Sequence, residues 1–277
     1  MSATCDRSRG AIFDGLAELY DAVRPGYPES LVDEILARAP ERACVLEIGC
    51  GSGQATRAFA RRGLRVTCLE PSPNLARRAR ANLAPWPDVV VEERRFEAWP
   101  LREGGFDLVI AAQAFHWLDP RIAYTKAGRA LRPGGALALF WNRPVWDAGP
   151  LREAIDEAYR LHAPQIAPAH SVEIEGVLEG IRSSGLFGPV SQSRHAWIDR
   201  RSARDYLRLL GTYSDHAALP AAQREALLRA IGAAIERFGG AIVLPQVALL
   251  YLAERGAGAP EGGRAQPRMD SPASSAK

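Results

Sequence analysis

Glu47-Ile48-Gly49-Cys50-Gly51-Ser52-Gly53-Gln54 places glycines at alternate positions directly behind a short apolar run that begins at Cys44. Glycines in a turn between a strand and a helix permit φ > 0 and let a ligand approach the backbone closely. A dinucleotide loop of the G-x-G-x-x-G type is the obvious competitor, but it needs a small residue where Gln54 stands. Glu70 closes the next apolar run and is followed by Pro71. A carboxylate at such a strand end can accept both hydrogen bonds of a ribose diol, a charge-assisted bidentate arrangement. Further on, Phe96-Glu97-Ala98-Trp99 follows a third apolar run, and Ala112-Gln113-Ala114-Phe115-His116-Trp117 follows a fourth. His116 is the titratable group of that stretch that works near neutral pH. It could remove a proton from a hydroxyl or amine substrate, or it could form an aromatic wall with Trp117.

The elements that must position these residues follow from the apolar rhythm. Residues 13–38 read as two short helices, broken at Arg24-Pro25-Gly26-Tyr27-Pro28 because proline cannot continue a helix. Strands are expected at 44–48, 65–70, 89–91, 106–110 and 136–141, with helices at 54–62, 73–82 and 122–131 between them. The last of these helices is stopped by Pro133-Gly134-Gly135. Strands alternating with helices imply a parallel sheet covered on both faces, with ligands at the carboxyl ends of the strands. In the second half, 151–161 and 172–184 read as helices and 190–198 as a strand. Ser202 is an N-cap for a helix to Leu210, 221–238 is a long amphipathic helix, and 241–252 mixes strand and helix signals. From Gly256 the Gly, Ala, Pro and Ser content predicts a disordered tail.

The ordered set Glu47-x-Gly49-x-Gly51-x-Gly53, Glu70-Pro71, Phe96-Glu97-Ala98-Trp99, Phe106-Asp107 through Trp117, and Leu131-Arg132-Pro133-Gly134-Gly135 resembles class I S-adenosylmethionine-dependent methyltransferases. The likeness covers about residues 44–142. At the flanks, 13–36 and 202–252, the chain is similar to a small-molecule branch that includes trans-aconitate methyltransferases. The resemblance implies an α/β fold: a Rossmann-like, mostly parallel seven-stranded sheet with helices on both faces and helical cap insertions. Its expected parts are an N-terminal helical lid (1–40), a cofactor-binding core (41–145), a C-terminal part with the last strands and the cap (146–255), and the tail (256–277). It also implies S-adenosyl-L-methionine as cofactor, held by Tyr20, Arg24, Glu47, Gly49, Cys50, Gly51, Gly53, Gln54, Glu70, Pro71, Glu97, Ala98, Ala112, Gln113, His116 and Trp117. The loops above the sheet rim nominate Tyr27, Phe115, Trp141, Arg143, Trp146, Tyr213 and His216 for the methyl acceptor, with Arg143 able to anchor an acidic one. Tyr20 and Arg24 share a helix face at i, i+4; they close over the cofactor, or else Arg24 pairs with Asp21 or Glu29 at the surface.

Several acceptors are excluded by residue type. Ala112-Gln113-Ala114-Phe115 is not the Asp/Asn-Pro-Pro-aromatic motif of amino-directed DNA methylation, no cysteine follows a proline, and Ala111-Ala112 supplies no carboxylate for a metal-assisted reaction. What remains is a small organic molecule offering an oxygen, nitrogen or carboxylate. A cyclisation that keeps the cofactor, or a non-catalytic scaffold of the same fold, stay open as alternatives. The 277 residues carry a formal net charge of +3, and the arginines lie among carboxylates, as at Glu92-Glu93-Arg94-Arg95. This is a solvated surface and not a phosphate-binding stripe, so no nucleic acid is expected. The four cysteines, Cys5, Cys44, Cys50 and Cys68, have neither zinc nor disulfide spacing. No metal and no membrane contact are expected. A cytoplasmic protein, monomeric or homodimeric, is.

Overall fold

The computed structural model describes residues 14–166 and 174–256. Two helices open it, α1 (Ala17–Val23) and α2 (Glu29–Leu36). The first half of the sheet then alternates β1 (Cys44–Ile48), α3 (Thr56–Ala60), β2 (Arg65–Leu69), α4 (Pro73–Leu83) and β3 (Val89–Glu92). β4 (Phe106–Ala112), a short 3-10 turn at Phe115–Trp117, α5 (Pro120–Ala130) and β5 (Leu131–Pro144) follow. α6 (Pro150–His162) begins the cap, α7 (Val177–Ser183) packs on the sheet, and α8 (Ala203–Leu210), α9 (Ser214–Ala217) and α10 (Ala221–Arg237) complete the cap. The cap is interleaved with β6 (Ser191–Ser202) and β7 (Ala241–Glu254).

The seven strands run in the order β3-β2-β1-β4-β5-β7-β6. β1 to β5 are parallel, while β7 is antiparallel to both β5 and β6. Strand order reverses between β2 and β4 on either side of β1, which opens a crevice above the carboxyl end of β1. Side chains alternate through the sheet: Leu46, Val109, Leu137 and Leu139 pack on one face with α5 and α7, and Val45, Leu108, Ile110 and Phe140 on the other with α2, α3 and α4. Apolar residues of α6, α8, α10 and the start of β7 form a separate core under the cap, joined by Val23 of α1.

Local chemistry explains the boundaries. Ser72 Oγ accepts the Leu75 N–H ahead of Pro73, Asp119 accepts the Arg121 N–H ahead of Pro120, and Ser202 Oγ accepts the Asp205 N–H. Each is an N-cap satisfying an orphan donor of the first helical turn. Three expectations need correction. α3 starts at Thr56 and not at Gln54, because Gly49, Gly51 and Gly53 all hold positive φ and delay the helix. Pro133-Gly134-Gly135 lies inside β5 at a register shift instead of stopping a helix; α5 has already ended at Ala130. The mixed segment at 241–252 is strand, since β5 and β6 pair with it from both sides. Cys44, Cys50 and Cys68 are free thiols. Cys5, the segment before Asp14 and the tail beyond Gly256 lie outside the described residues.

Candidate active site

A cavity of about 1130 Å³ opens over the carboxyl ends of β1, β2, β4 and β5, roofed by the cap. Its floor is the Gly-rich turn. Gly49 (φ +71°) and Gly51 (φ +60°) bend the chain so that no Cβ intrudes: one added at Gly49 would stand 2.6 Å from the Ala114 Cβ, and one at Gly51 would stand 3.2 Å from the Tyr20 ring. Beside this turn Glu70, 6% exposed, accepts the Gly51 N–H on Oε2 and the Ser72 N–H on Oε1, each at 2.9 Å. Each carboxylate oxygen has taken one donor and keeps a lone pair for another. Burial raises the Glu70 pKa to about 7, against the pull of those two N–H groups, so its charge is poised near neutrality.

Gln113 follows β4 in the left-handed region at φ +56° and donates its N–H to the Phe140 carbonyl at 2.9 Å. A non-glycine residue there is unusual, and it turns the chain over the cavity wall. His116 follows. Its Nδ1 accepts the Trp141 Nε1–H at 3.1 Å, and the ring packs on Trp117 with centroids 4.7 Å apart. The ring faces the open cavity, yet the protein around it and the Arg143 cation push its pKa down to about 4. A neutral imidazole accepting on Nδ1 carries its proton on Nε2. In that tautomer His116 offers its Nε2–H to the cavity as a hydrogen-bond donor.

α1 forms the near wall. Arg24 does not pair with Asp21 or Glu29. Its Nε donates to Thr212 Oγ1 at 2.9 Å and its Nη2 to the Thr212 carbonyl at 2.7 Å. The guanidinium lies between the Tyr20 ring (4.9 Å) and the Tyr213 ring (4.7 Å), a cation–π stack that ties α1 to the cap. Asp14 fastens the start of this segment to α4 by accepting the Ser72 hydroxyl and the Asn74 N–H, both at 2.8 Å. At the bend between α1 and α2, Asn142 of β5 donates to the Gly26 carbonyl at 2.9 Å.

Of the residues nominated for the cofactor, Tyr20, Arg24, Gly49, Gly51, Glu70, Pro71, Glu97, Ala112, Gln113, His116 and Trp117 line this cavity. Glu47, Cys50 and Gln54 do not; with Tyr27 they border a small cavity of about 20 Å³ behind the turn. There Glu47 is fully buried, with Oε2 accepting the Thr56 hydroxyl at 2.7 Å and Oε1 without a partner among the described residues. Burial raises its pKa to about 7. Gly53 faces Leu83 of α4, and Ala98 is exposed outside the cavity, although Lys126 Nζ holds its neighbours by the Glu97 and Trp99 carbonyls. For the acceptor, Trp141, Arg143, Trp146, Tyr213 and His216 line the cavity. Two placements are corrected. Phe115 is 3% exposed and packs on Tyr124, because the 3-10 turn points it into the sheet core. Tyr27 packs edge-on against Phe140 at 4.8 Å. Asp14, Tyr159 and Asp215 also line the cavity: Asp14 is held there by Ser72 and Asn74 at the start of α4, and the folding of the cap brings Tyr159 and Asp215.

Comparison with known proteins agrees with this geometry. A methyltransferase-domain family model matches residues 46–139. An uncharacterized methyltransferase of Mycobacterium tuberculosis is 37% identical over 151 residues, 54% of this chain and 60% of that protein. The chain thus spans under two thirds of that relative's length. One from Geobacillus kaustophilus is 30% identical over 158 residues, 53% of this chain and 72% of that protein. A solved structure from Anaeromyxobacter dehalogenans, named as a type II methyltransferase, superposes with a TM-score of 0.60 at 26% identity. It covers 84% of this chain and 97% of its own.

Proposed function

Because the chain belongs to the class I S-adenosylmethionine-dependent methyltransferases, we propose that it transfers a methyl group from that cofactor to a small organic molecule. The observation that carries the reading is Glu70, a buried carboxylate with two unused lone pairs, set against a glycine cradle that any Cβ would fill. These residues fit the cofactor: Glu70 would accept from the ribose hydroxyls, and the Gly49–Gly51 backbone would run along its amino-acid portion. When bound, the sulfonium supplies an electrophilic methyl group. The chain's own part is to align an acceptor and to keep water out. Trp117, Trp141, Trp146 and Tyr213 give the cavity an apolar wall for that purpose, with Arg143 and Arg152 as its polar contacts.

Calorimetry with S-adenosylhomocysteine, followed by a metabolite screen with methyl-labelled S-adenosylmethionine, tests the reading. Binding and a labelled product are expected. A folded protein that binds neither compound would refute it.

A further inference from the structure

Two histidines line the cavity, and their hydrogen bonds wire them in opposite senses. The His116 lone pair is occupied by Trp141. His216, 2% exposed, lies with Nδ1 at 2.7 Å from Asp215 Oδ1 and Nε2 at 2.8 Å from the Tyr159 hydroxyl. An ionised carboxylate can only accept, so Nδ1–H donates to Asp215, and Nε2 keeps a lone pair that takes the Tyr159 O–H. The His216 backbone N–H also donates to Asp215 Oδ1, at 2.8 Å, which fixes the carboxylate beneath the ring. Although burial works against it, this bonding holds the Asp215 carboxyl below the usual range. Tyr159 and Tyr213 both pack edge-on against the imidazole at 5.7 Å, which sets its plane.

We propose that Tyr159, backed by His216 and Asp215, receives the proton of a hydroxyl-bearing methyl acceptor; this rests on the methyl-transfer reading above. The acceptor O–H proton passes to the Tyr159 oxygen as the Tyr159 proton passes to His216 Nε2. The oxygen lone pair takes the methyl group, and the sulfur keeps the electron pair of its former bond to carbon. Asp215 stabilises the imidazolium, which later returns its proton to water. Burial pushes the Tyr159 pKa up, so the phenol is a conduit and not a standing phenolate. The other charged and titratable groups around it are Arg152 and Asp156 of α6, themselves paired at 2.6 Å, with Tyr206 of α8 and Tyr213.

The test uses 4-methylphenol, 4-nitrophenol and benzoate as acceptor probes with labelled S-adenosylmethionine at pH 8, and nitrogen-15 NMR of the histidine rings. Tyr159→Phe and His216→Gln should each lower 4-methylphenol turnover by about 10²–10⁴-fold. Their turnover of 4-nitrophenol, already ionised, should stay within about tenfold of the wild type. Asp215→Asn should move the ascending limb of the pH–rate profile, and NMR should find His216 protonated on Nδ1 in the wild type. Equal loss on both phenols would mark a structural triad and overturn the proposal, as would His216 protonated on Nε2. Turnover of benzoate alone, or of no probe, removes the hydroxyl assignment, whereas failure to bind S-adenosylhomocysteine removes the methyl-transfer reading itself.

Discussion

Glu47 on β1 and Glu70 just after the neighbouring β2 are both buried carboxyls, yet they serve different ends, and pH separates them. Replacing Glu70 by Ala should weaken S-adenosylhomocysteine binding by about 1.5–3 kcal/mol, the range for hydrogen bonds to a charged group. Wild-type affinity should also fall as pH drops below about 7, because the protonated carboxyl is a poorer acceptor. Calorimetry at pH 6 and pH 8 checks both; flat affinity with a folded mutant would remove Glu70 from the ribose. Glu47 reports on stability instead. Its pKa rises from 4.5 unfolded to about 7 folded, so the native state holds the extra proton, and the associated stability is present in full below pH 4.5 and lost as pH rises through 7. Such a difference corresponds to roughly 3 kcal/mol. Glu47→Gln should therefore gain on the wild type by up to about that amount between pH 5 and pH 8 in urea denaturation; parallel curves would contradict it. The carboxylates and glycines are legible in the sequence because the backbone demands their types at fixed spacing. The wiring of His116 is not, since its partner Trp141 arrives from another strand.

Among the elements, the turn after β1 is the least tolerant of change. At Gly49 an alanine meets two separate penalties, a positive φ and a 2.6 Å clash with the Ala114 Cβ. Gly49→Ala should cost about 1–3 kcal/mol of stability. Adding Ala114→Gly should recover the clash but leave the backbone strain. Full recovery, or none, by chemical denaturation would show that one of the two penalties is absent. The first five strands are legible from apolar runs bounded by turn residues, to within a residue or two at most ends. β5 and β7 are longer than their apolar runs imply: β5 stays paired with β7 through Asn142, Arg143 and Pro144, and β7 stays paired with β5 as far as Glu254. Pairing, and not local propensity, carries these strands outward to the cap.

Across the whole molecule, α1 and the cap act together through Arg24, Thr212 and Tyr213. S-adenosylhomocysteine should therefore slow hydrogen exchange in residues 17–30 and 203–217 jointly, and Arg24→Ala should uncouple the two segments. Protection confined to one segment in the wild type would argue against a shared roof. The i, i+4 pairing of Tyr20 with Arg24 is readable from spacing. Their common partner is not, because Thr212 is 188 residues away. The same remoteness governs how the chain is born. β5 lies beside β7, and the segment between them, which supplies most of the roof, is about a hundred residues long. At typical ribosomal speeds that separation lasts about 5–20 s. During that interval the nascent sheet has β5 as an unpaired edge, open to any extended strand that meets it. The emergence of β7 both covers that edge and encloses the cavity, so among the described strands the one made last shields β5 from stray pairing and completes the roof in a single step.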